Sequence, residues 1–276
     1  MLNFLFSSDG KLIEPDGYSL SLNRSFLYGD GFFETIRRSE SGNIGLSAFH
    51  ADRISRSARL LGFSGLTDFS EKNLHLLIEQ MNLPRTGKAI KIKLVFFRHG
   101  ADGYAPGDDC ATFIYATCSD LKLQFLSCIQ NIGSSDSFRI VPTPFSGIKS
   151  TSALPYVWAG MERKQKGYDE ILLLSPDGLV VEGSFTSICW EDSEGIHFTP
   201  RELGGIDSCS RRFLEHYFRS ASVSFTEKRI SPENLMKESI WVCMASALGL
   251  RFWSRNQGVN AIPGIFLRPD FSQSFA

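Results

Sequence analysis

Between residues 47 and 81 two rows of apolar residues repeat at helical spacing, with strand-like runs on either side. That alternation points to a mixed α+β fold. In "SAFHADRISRSARLLGF" the row is Ala51, Ile54, Ala58 and Leu61. In "DFSEKNLHLLIEQMNL" it is Leu74, Leu77, Ile78 and Met81, with Ser70 placed to cap the helix. Ahead of these rows, "FLFSSDGKLI" predicts a hairpin around Asp9-Gly10, and "GFFETIRRSESGNIGL" predicts another turning near Ser41-Gly42. Behind them, "KAIKIKLVFFR" and "ATFIYATCS" read as strands.

The pattern weakens from residue 116 to 136. This divides the chain into an N-terminal α/β domain over 1–116, a connection over 117–135 and a strand-rich C-terminal domain over 136–276. The second half opens with "FRIVPTP". A helix after Lys149 is expected to bury Leu154, Val157, Trp158 and Met161. "EILLLS", "LVVEGSFTSICWED" and "IHFTP" follow as strands, with turns at "PDG" and at Ser193–Gly195. A helix near 210–219 shows Phe213, Leu214, Tyr217 and Phe218 on one side, and a short one runs near Ser231–Met236. The strand "SIWVCMA" and then "LRFWSR" end the regular pattern.

Composition narrows the function classes. Of 276 residues, 42% are hydrophobic and 21% charged, as in an ordinary globular protein. A net charge of −1 with scattered Lys and Arg gives no basic surface for nucleic acid. No run reaches the ~18 continuous apolar residues of a membrane span. The opening "MLNFLFSSDGKLIEPDG" has no basic stretch followed by an apolar core, so it does not read as a secretory signal. The six cysteines form no CxxC pair and, with the histidines, no metal-ligand spacing. They read as free, mostly buried thiols of a cytoplasmic protein, and no metal site is expected.

Four windows carry the chemistry. In "PFSGIKSTSALPYVWAG", Lys149 stands just before a predicted helix, where the macrodipole disfavours an ammonium. Ser150, Thr151 and Ser152 are candidates for the cap, and Pro155 suits the first turn. Alone, Lys149 is a solvated loop lysine or an amine activated for imine formation. Glu182 interrupts the apolar strand "VVEGSFTSICW" and faces either water or a buried partner. Arg53 lies off the apolar row of its helix and is either a surface charge or a phosphate ligand. In "LGGIDSCSRRFLEH" two glycines lead into a helix, whose first N–H groups can hold an anion. Together, an imine-forming lysine, a carboxylate, an arginine and a glycine turn into a helix are what pyridoxal phosphate requires. The lysine takes the aldehyde and the carboxylate keeps the pyridine nitrogen protonated.

With these windows in order along it, the chain resembles the class IV aminotransferases, the fold-type IV pyridoxal-phosphate enzymes. The matching stretches are "FLYGDGFFETIR" at 26–37, "FHADRISRSARLLGF" at 49–63, residues 148–190 and "FTPRELGGIDSCSRRFLEH" at 198–216. The resemblance implies two α/β domains, the C-terminal one a larger strand-rich pseudo-barrel carrying the lysine, with the cofactor between them, and a homodimer. It implies Lys149 as the Schiff-base lysine, Glu182 on the pyridine nitrogen, and Arg53 with the backbone at Ile206 and Asp207 on the phosphate. Ser246 would add a hydroxyl. The chain departs from the family at Ser152 and Ser187, where Asn is frequent, at Asp207, and at Met244 in "CMASALG".

Two windows resemble aminodeoxychorismate lyases. Thr35 stands where branched-chain aminotransferases carry glycine, and its hydroxyl would relay a proton. "LVFFRHGADGYAP" resembles a substrate-carboxylate loop, with Arg98 binding a carboxylate and Tyr104 lining the pocket; Tyr28 and Phe33 would line it too. The activity so implied converts 4-amino-4-deoxychorismate to 4-aminobenzoate and pyruvate in folate precursor synthesis. The alternatives are an aminotransferase acting on branched-chain or D-amino acids with a 2-oxo acid acceptor, and a catalytically idle relative with a binding role.

Overall fold

The computed structural model describes residues 2–13, 23–84, 87–100, 103–108, 110–122, 124–255 and 262–275. It falls into two compact units. The first comprises Met1–Lys122 with Ile148–Ser152, and the second Leu123–Gly147 with Ala153–Phe275.

The first unit contains β1 (Leu2–Ser7), β2 (Leu12–Ile13), α1 (Arg24–Tyr28), β3 (Gly31–Arg38), α2 (Ser47–Leu61), α3 (Glu71–Gln80), β4 (Ile90–His99) and β5 (Ala111–Asp120). The strands form one antiparallel sheet in the order β2-β1-β5-β4-β3. Strand period sorts its side chains. On β4, Ile90, Ile92, Leu94 and Phe96 are buried, whereas Lys91 and Lys93 are exposed on the other face. The buried face packs with Ile54 and Ala58 of α2 and Leu74, Leu77 and Ile78 of α3. Both helical rows therefore behave as their spacing predicts. Ser70 caps α3 in a reciprocal box with Asn73. The first hairpin forms as read. The second is reduced to a bridge between Arg38 and Ile44, where the Gly45 N–H also donates to the Arg37 carbonyl at 2.9 Å.

The second unit contains β6 (Leu126–Cys128), β7 (Ile132–Arg139), α4 (Leu154–Gln165), β8 (Glu170–Leu174), β9 (Val180–Gly183), β10 (Ser187–Asp192), β11 (Gly195–Phe198), α5 (Cys209–Ser220), β12 (Phe225–Glu227), α6 (Pro232–Glu238), β13 (Trp241–Ser246), β14 (Gly249–Trp253) and α7 (Pro269–Phe275). Its strands form a six-stranded sheet, β12-β11-β10-β13-β14-β6, and a three-stranded sheet, β7-β8-β9. Every residue of β8 is buried, as befits a strand covered on both faces. Phe213, Leu214, Tyr217 and Phe218 of α5 are buried as expected.

Three expectations are corrected. The segment 117–135 is not a plain connection, because β5 extends to Asp120 and β6 and the first half of β7 follow; their mixed residues hide the strand period. The chain does not lose regular structure after Trp253 either. In α7, Phe271 and Phe275 join Phe125, Phe213 and Tyr217 in an aromatic cluster, with Tyr217 and Phe271 ring centres 4.9 Å apart. Third, the apolar stripe of α4 faces outward: Leu154 is 74% exposed, Met161 60%, Val157 55% and Trp158 52%. Its inward side is Ala159 and Glu162, the latter accepting from Ser135 and Ser137 hydroxyls at 2.6 and 2.8 Å.

Candidate active site

Lys149 is grouped with the first unit, although chain order puts it in the second half. The reason is backbone pairing against β3. The Phe33 N–H donates to the Lys149 carbonyl at 2.9 Å, the Thr151 N–H donates to the Gly31 carbonyl at 2.9 Å, and Phe32 bridges Ser150. Ile148 enters the core, and half-buried Lys149 lays its Nζ 4.6 Å from the Phe33 ring centre. The predicted hydroxyl caps do not cap. α4 starts later, with Ala153 at its N-cap and no side-chain bond there. Thr151 Oγ1 and Ser152 Oγ instead donate to the Gly29 carbonyl, at 2.8 and 3.4 Å. Gly29 itself has φ 67°, and a Cβ on it would collide with Ser152 Oγ, so this close approach requires glycine.

Phe33, Thr35 and Arg37 share one face of β3. Thr35 stands in register with Lys93 of β4, and Lys93 Nζ lies 4.5 Å from the Phe33 ring centre. Glu34 points to the opposite face, where Arg53 Nε and Nη2 donate to its two oxygens at 2.7 and 2.6 Å. His50 Nδ1 lies 2.6 Å from Oε2. Burial alone would raise the Glu34 carboxyl, but Arg53 and His50 outweigh it and hold it at about 2. Arg53 is thus a buried helix arginine with a carboxylate partner, not a surface charge.

Arg98 is also buried and paired. Its Nη1 donates to Asp30 at 3.1 Å, its Nη2 donates to the Leu61 carbonyl, and its guanidinium covers the Phe63 ring at 4.1 Å. Arg24 binds the same Asp30 at 2.8 Å and donates to the carbonyls of Gly103 and Tyr104 at 2.7 and 2.8 Å. Tyr28 and Tyr104 pack at 5.6 Å, and the Gly103 N–H donates to Tyr28 Oη at 3.2 Å. Arg24 therefore fixes the start of the 103–108 loop, and Asp30 already balances Arg98. Residues 101 and 102 of the predicted loop lie outside the described residues.

In the second unit, Glu182 on β9 is buried and lines a cavity of about 300 Å³ with Pro142, Ser187, Gly205, Asp207 and Arg211. It accepts hydrogen bonds from Tyr156 Oη at 2.6 Å and from the Ile206 N–H at 3.1 Å. Burial, and then Glu182, raise the Tyr156 phenol, so it stays a donor. Sequence periodicity misses Tyr156, because its helical position falls in no apolar row. The Asp207 N–H donates to the Gly147 carbonyl at 3.1 Å, while Arg212 clamps the Asp207 carboxylate at 2.6 to 2.9 Å. The aspartate charge that is awkward beside an anion is thereby neutralised. A Cβ on Gly205 would press on Val181 Cγ1 at 3.2 Å and the Glu182 carboxyl carbon at 3.4 Å. Ser246 Oγ serves its own hairpin turn, donating to the Gly249 carbonyl at 3.1 Å; Ser187 Oγ donates to the Ala245 carbonyl at 3.3 Å and Met244 is buried. Away from this cavity, Asp192, Glu194 and His197 come together, and Lys228 neutralises the two carboxylates at 2.9 and 2.6 Å.

The first unit offers an amine on an aromatic ring and a buried arginine; the second, taken by itself, offers a buried carboxylate at a cavity wall with a glycine turn packed against it. Their chemistry fits a phosphorylated pyridine aldehyde. The family model for amino-transferase class IV matches residues 31–253. The chain belongs to the class IV amino-transferase family. Among its relatives is the aminodeoxychorismate lyase of Bacillus subtilis (strain 168), 25% identical over 227 residues, covering 81% of this chain and 76% of the relative. The fold is that of the branched-chain aminotransferase from Thermoproteus uzoniensis, solved with norvaline, at TM-score 0.79 and 21% identity over 100% of this chain and 93% of that one. It is also that of the T.th. branched-chain amino acid aminotransferase with pyridoxamine 5'-phosphate, at TM-score 0.77 and 17% identity over 98% and 96%. No helix among the described residues is long and apolar enough to cross a membrane.

Proposed function

We propose that this class IV member is a pyridoxal-5'-phosphate-dependent lyase that converts 4-amino-4-deoxychorismate to 4-aminobenzoate and pyruvate. The observation that carries the reading is Thr35, on the same face of β3 as the ring that holds the Lys149 amine and directly across from Lys93. The lyase relative supports it.

Bound pyridoxal phosphate supplies an aldehyde for covalent attachment and a protonated ring that withdraws electrons. Lys149 would hold the aldehyde through Nζ and, as a free amine, would accept and return a proton as general base and acid. Glu182 would keep the ring nitrogen protonated; Tyr156 and the Ile206 amide hold that carboxylate in place. Thr35 Oγ1 passes a proton to the leaving group. Arg53 would meet the phosphate, and its pairing with Glu34 fixes where the guanidinium stands; the amides of Ile206 and Asp207, expected there too, are already given to Glu182 and to the Gly147 carbonyl. Tyr28, Phe33 and Tyr104 contact substrate, and Arg98 acts through Asp30 and Leu61 to hold that wall. Ser246 contributes through its turn.

The test is turnover of 4-amino-4-deoxychorismate without any 2-oxo acid, followed as pyruvate and 4-aminobenzoate. A second reading is an aminotransferase acting on branched-chain or D-amino acids with a 2-oxo acid acceptor, favoured by the fold neighbours' activity. It requires transfer between an amino acid and a 2-oxo acid and no 4-aminobenzoate. We further propose a homodimer that covers the outward apolar stripe of α4. Six free cysteines, four of them buried, suit a reducing cytoplasm; a place in folate biosynthesis rests on the lyase reading alone.

A further inference from the structure

Two lysines from different elements meet on one ring. Lys149 reaches Phe33 from the 148–152 segment and Lys93 reaches it from β4, with each nitrogen about 4.5 Å from the ring centre. The nitrogens therefore lie no more than about 9 Å apart. Both approaches are fixed by backbone pairing to β3: Lys93 is in register with Thr35, and the Lys149 carbonyl accepts the Phe33 N–H.

The remaining charged groups on this face of β3 and β4 are Arg37 and Lys91, in register with each other. Glu40 partly balances Arg37, at 3.3 Å. Glu34, the acid of β3, is on the opposite face with Arg53 and His50. Among the described residues of β3 and β4 this face carries Lys91, Lys93 and Arg37 and no carboxylate; on β5, Tyr115 stands in register with Val95 in the row of Phe33. An aromatic face attracts an ammonium, but a second cation nearby disfavours the charged form. The Lys93 residue is exposed as a whole, yet its ammonium lies against the ring; burial there, with repulsion from Lys91 adding to it, lowers its pKa.

We propose that Phe33 and Lys93 are positioning residues for Lys149: the ring holds the amine, and the neighbouring charge lowers its affinity for a proton. The use of this device rests on the reading of Lys149 as the aldehyde-binding lysine, for which the neutral amine is the reactive form. It also replaces the helix N-terminus as the source of activation, since α4 begins only at Leu154.

The test is the pH dependence of Lys149 acetylation in the cofactor-free full-length chain, using trace acetic anhydride and mass spectrometry of the Lys149 peptide. In Lys93→Met the midpoint rises by about 0.3 to 1 pH unit, the range given by one charge at this separation in a medium between protein surface and water. In Lys93→Arg, which keeps the charge, it stays within about 0.2 unit of the unaltered chain. In Phe33→Leu the effect of Lys93→Met shrinks. Salt at 1 M raises the midpoint of the unaltered chain and closes the gap to Lys93→Met; this arm needs no substitution to fold. Equal midpoints for the unaltered chain and Lys93→Met, or a midpoint of the unaltered chain that ignores salt, overturn the proposal. The readout uses no cofactor. Failure of the cofactor reading is seen separately, as a visible absorbance band that survives Lys149→Ala.

Discussion

Arg53 grips both oxygens of Glu34, and neither side chain is open to solvent. A helix residue and a strand residue nineteen positions apart thus tie α2 to the sheet through a charge pair in the core. Arg53→Ala strands a buried carboxylate beside His50 alone. It is expected to lower unfolding free energy by about 3–5 kcal/mol in urea titration, whereas Glu34→Gln with Arg53→Met costs less than either change alone suggests. Full additivity of the two changes would sink this account.

The same pair sets an acid limit. The Glu34 carboxyl titrates at about 2 in the folded chain against an ordinary value of 4.5. A depressed folded value means the stabilisation is complete above 4.5 and is lost as pH falls toward 2. Urea midpoints should therefore drop from pH 5 to pH 2, and Glu34→Gln should flatten that part of the drop. An unchanged slope in the variant would count against it.

Lys149→Ala should leave the circular dichroism spectrum intact, because its backbone bonds to β3 do not involve the side chain. Incubated with pyridoxal 5'-phosphate, the variant should lack the visible absorbance of the loaded protein. Turnover should fall by at least about 10²–10⁴-fold, the usual worth of a positioned acid–base group. Colour and turnover that persist would show that another lysine does the work.

Tyr156→Phe removes one of the donors to Glu182. The loss of a hydrogen bond to a buried carboxylate, about 1.5–3 kcal/mol, predicts cofactor affinity weaker by roughly ten- to 150-fold in fluorescence titration. Affinity equal to that of the unaltered chain would remove Tyr156 from the site.

Val157→Glu combined with Met161→Glu puts two charges on the outward face of α4, where neither side chain has core packing to lose. In sedimentation velocity the unaltered chain should run as a dimer and the double variant as a monomer. A dimer that withstands both charges would move the interface elsewhere.

Features that depend on neighbours in the chain are legible before any folding is known. The rows in α2, α3 and α5, the Ser70 cap and the alternation in β4 are local, because helix and strand periods decide which side chains share a face. The four chemical windows are legible for a similar reason: each is a short run whose residue types are unusual for its surroundings. Periodicity does not say what lies opposite a face. Spacing alone makes the stripe of α4 a core stripe, yet it faces outward, and Arg98 is balanced by Asp30 from 68 positions away. Thr151 and Ser152 have the chemistry of caps and instead bind Gly29. Only the tertiary structure decided that Glu182 is held by Tyr156, that Arg53 answers Glu34, and that Lys149 shares a ring with Lys93. Those pairings join residues far apart in the chain, where packing and charge balance choose the partner.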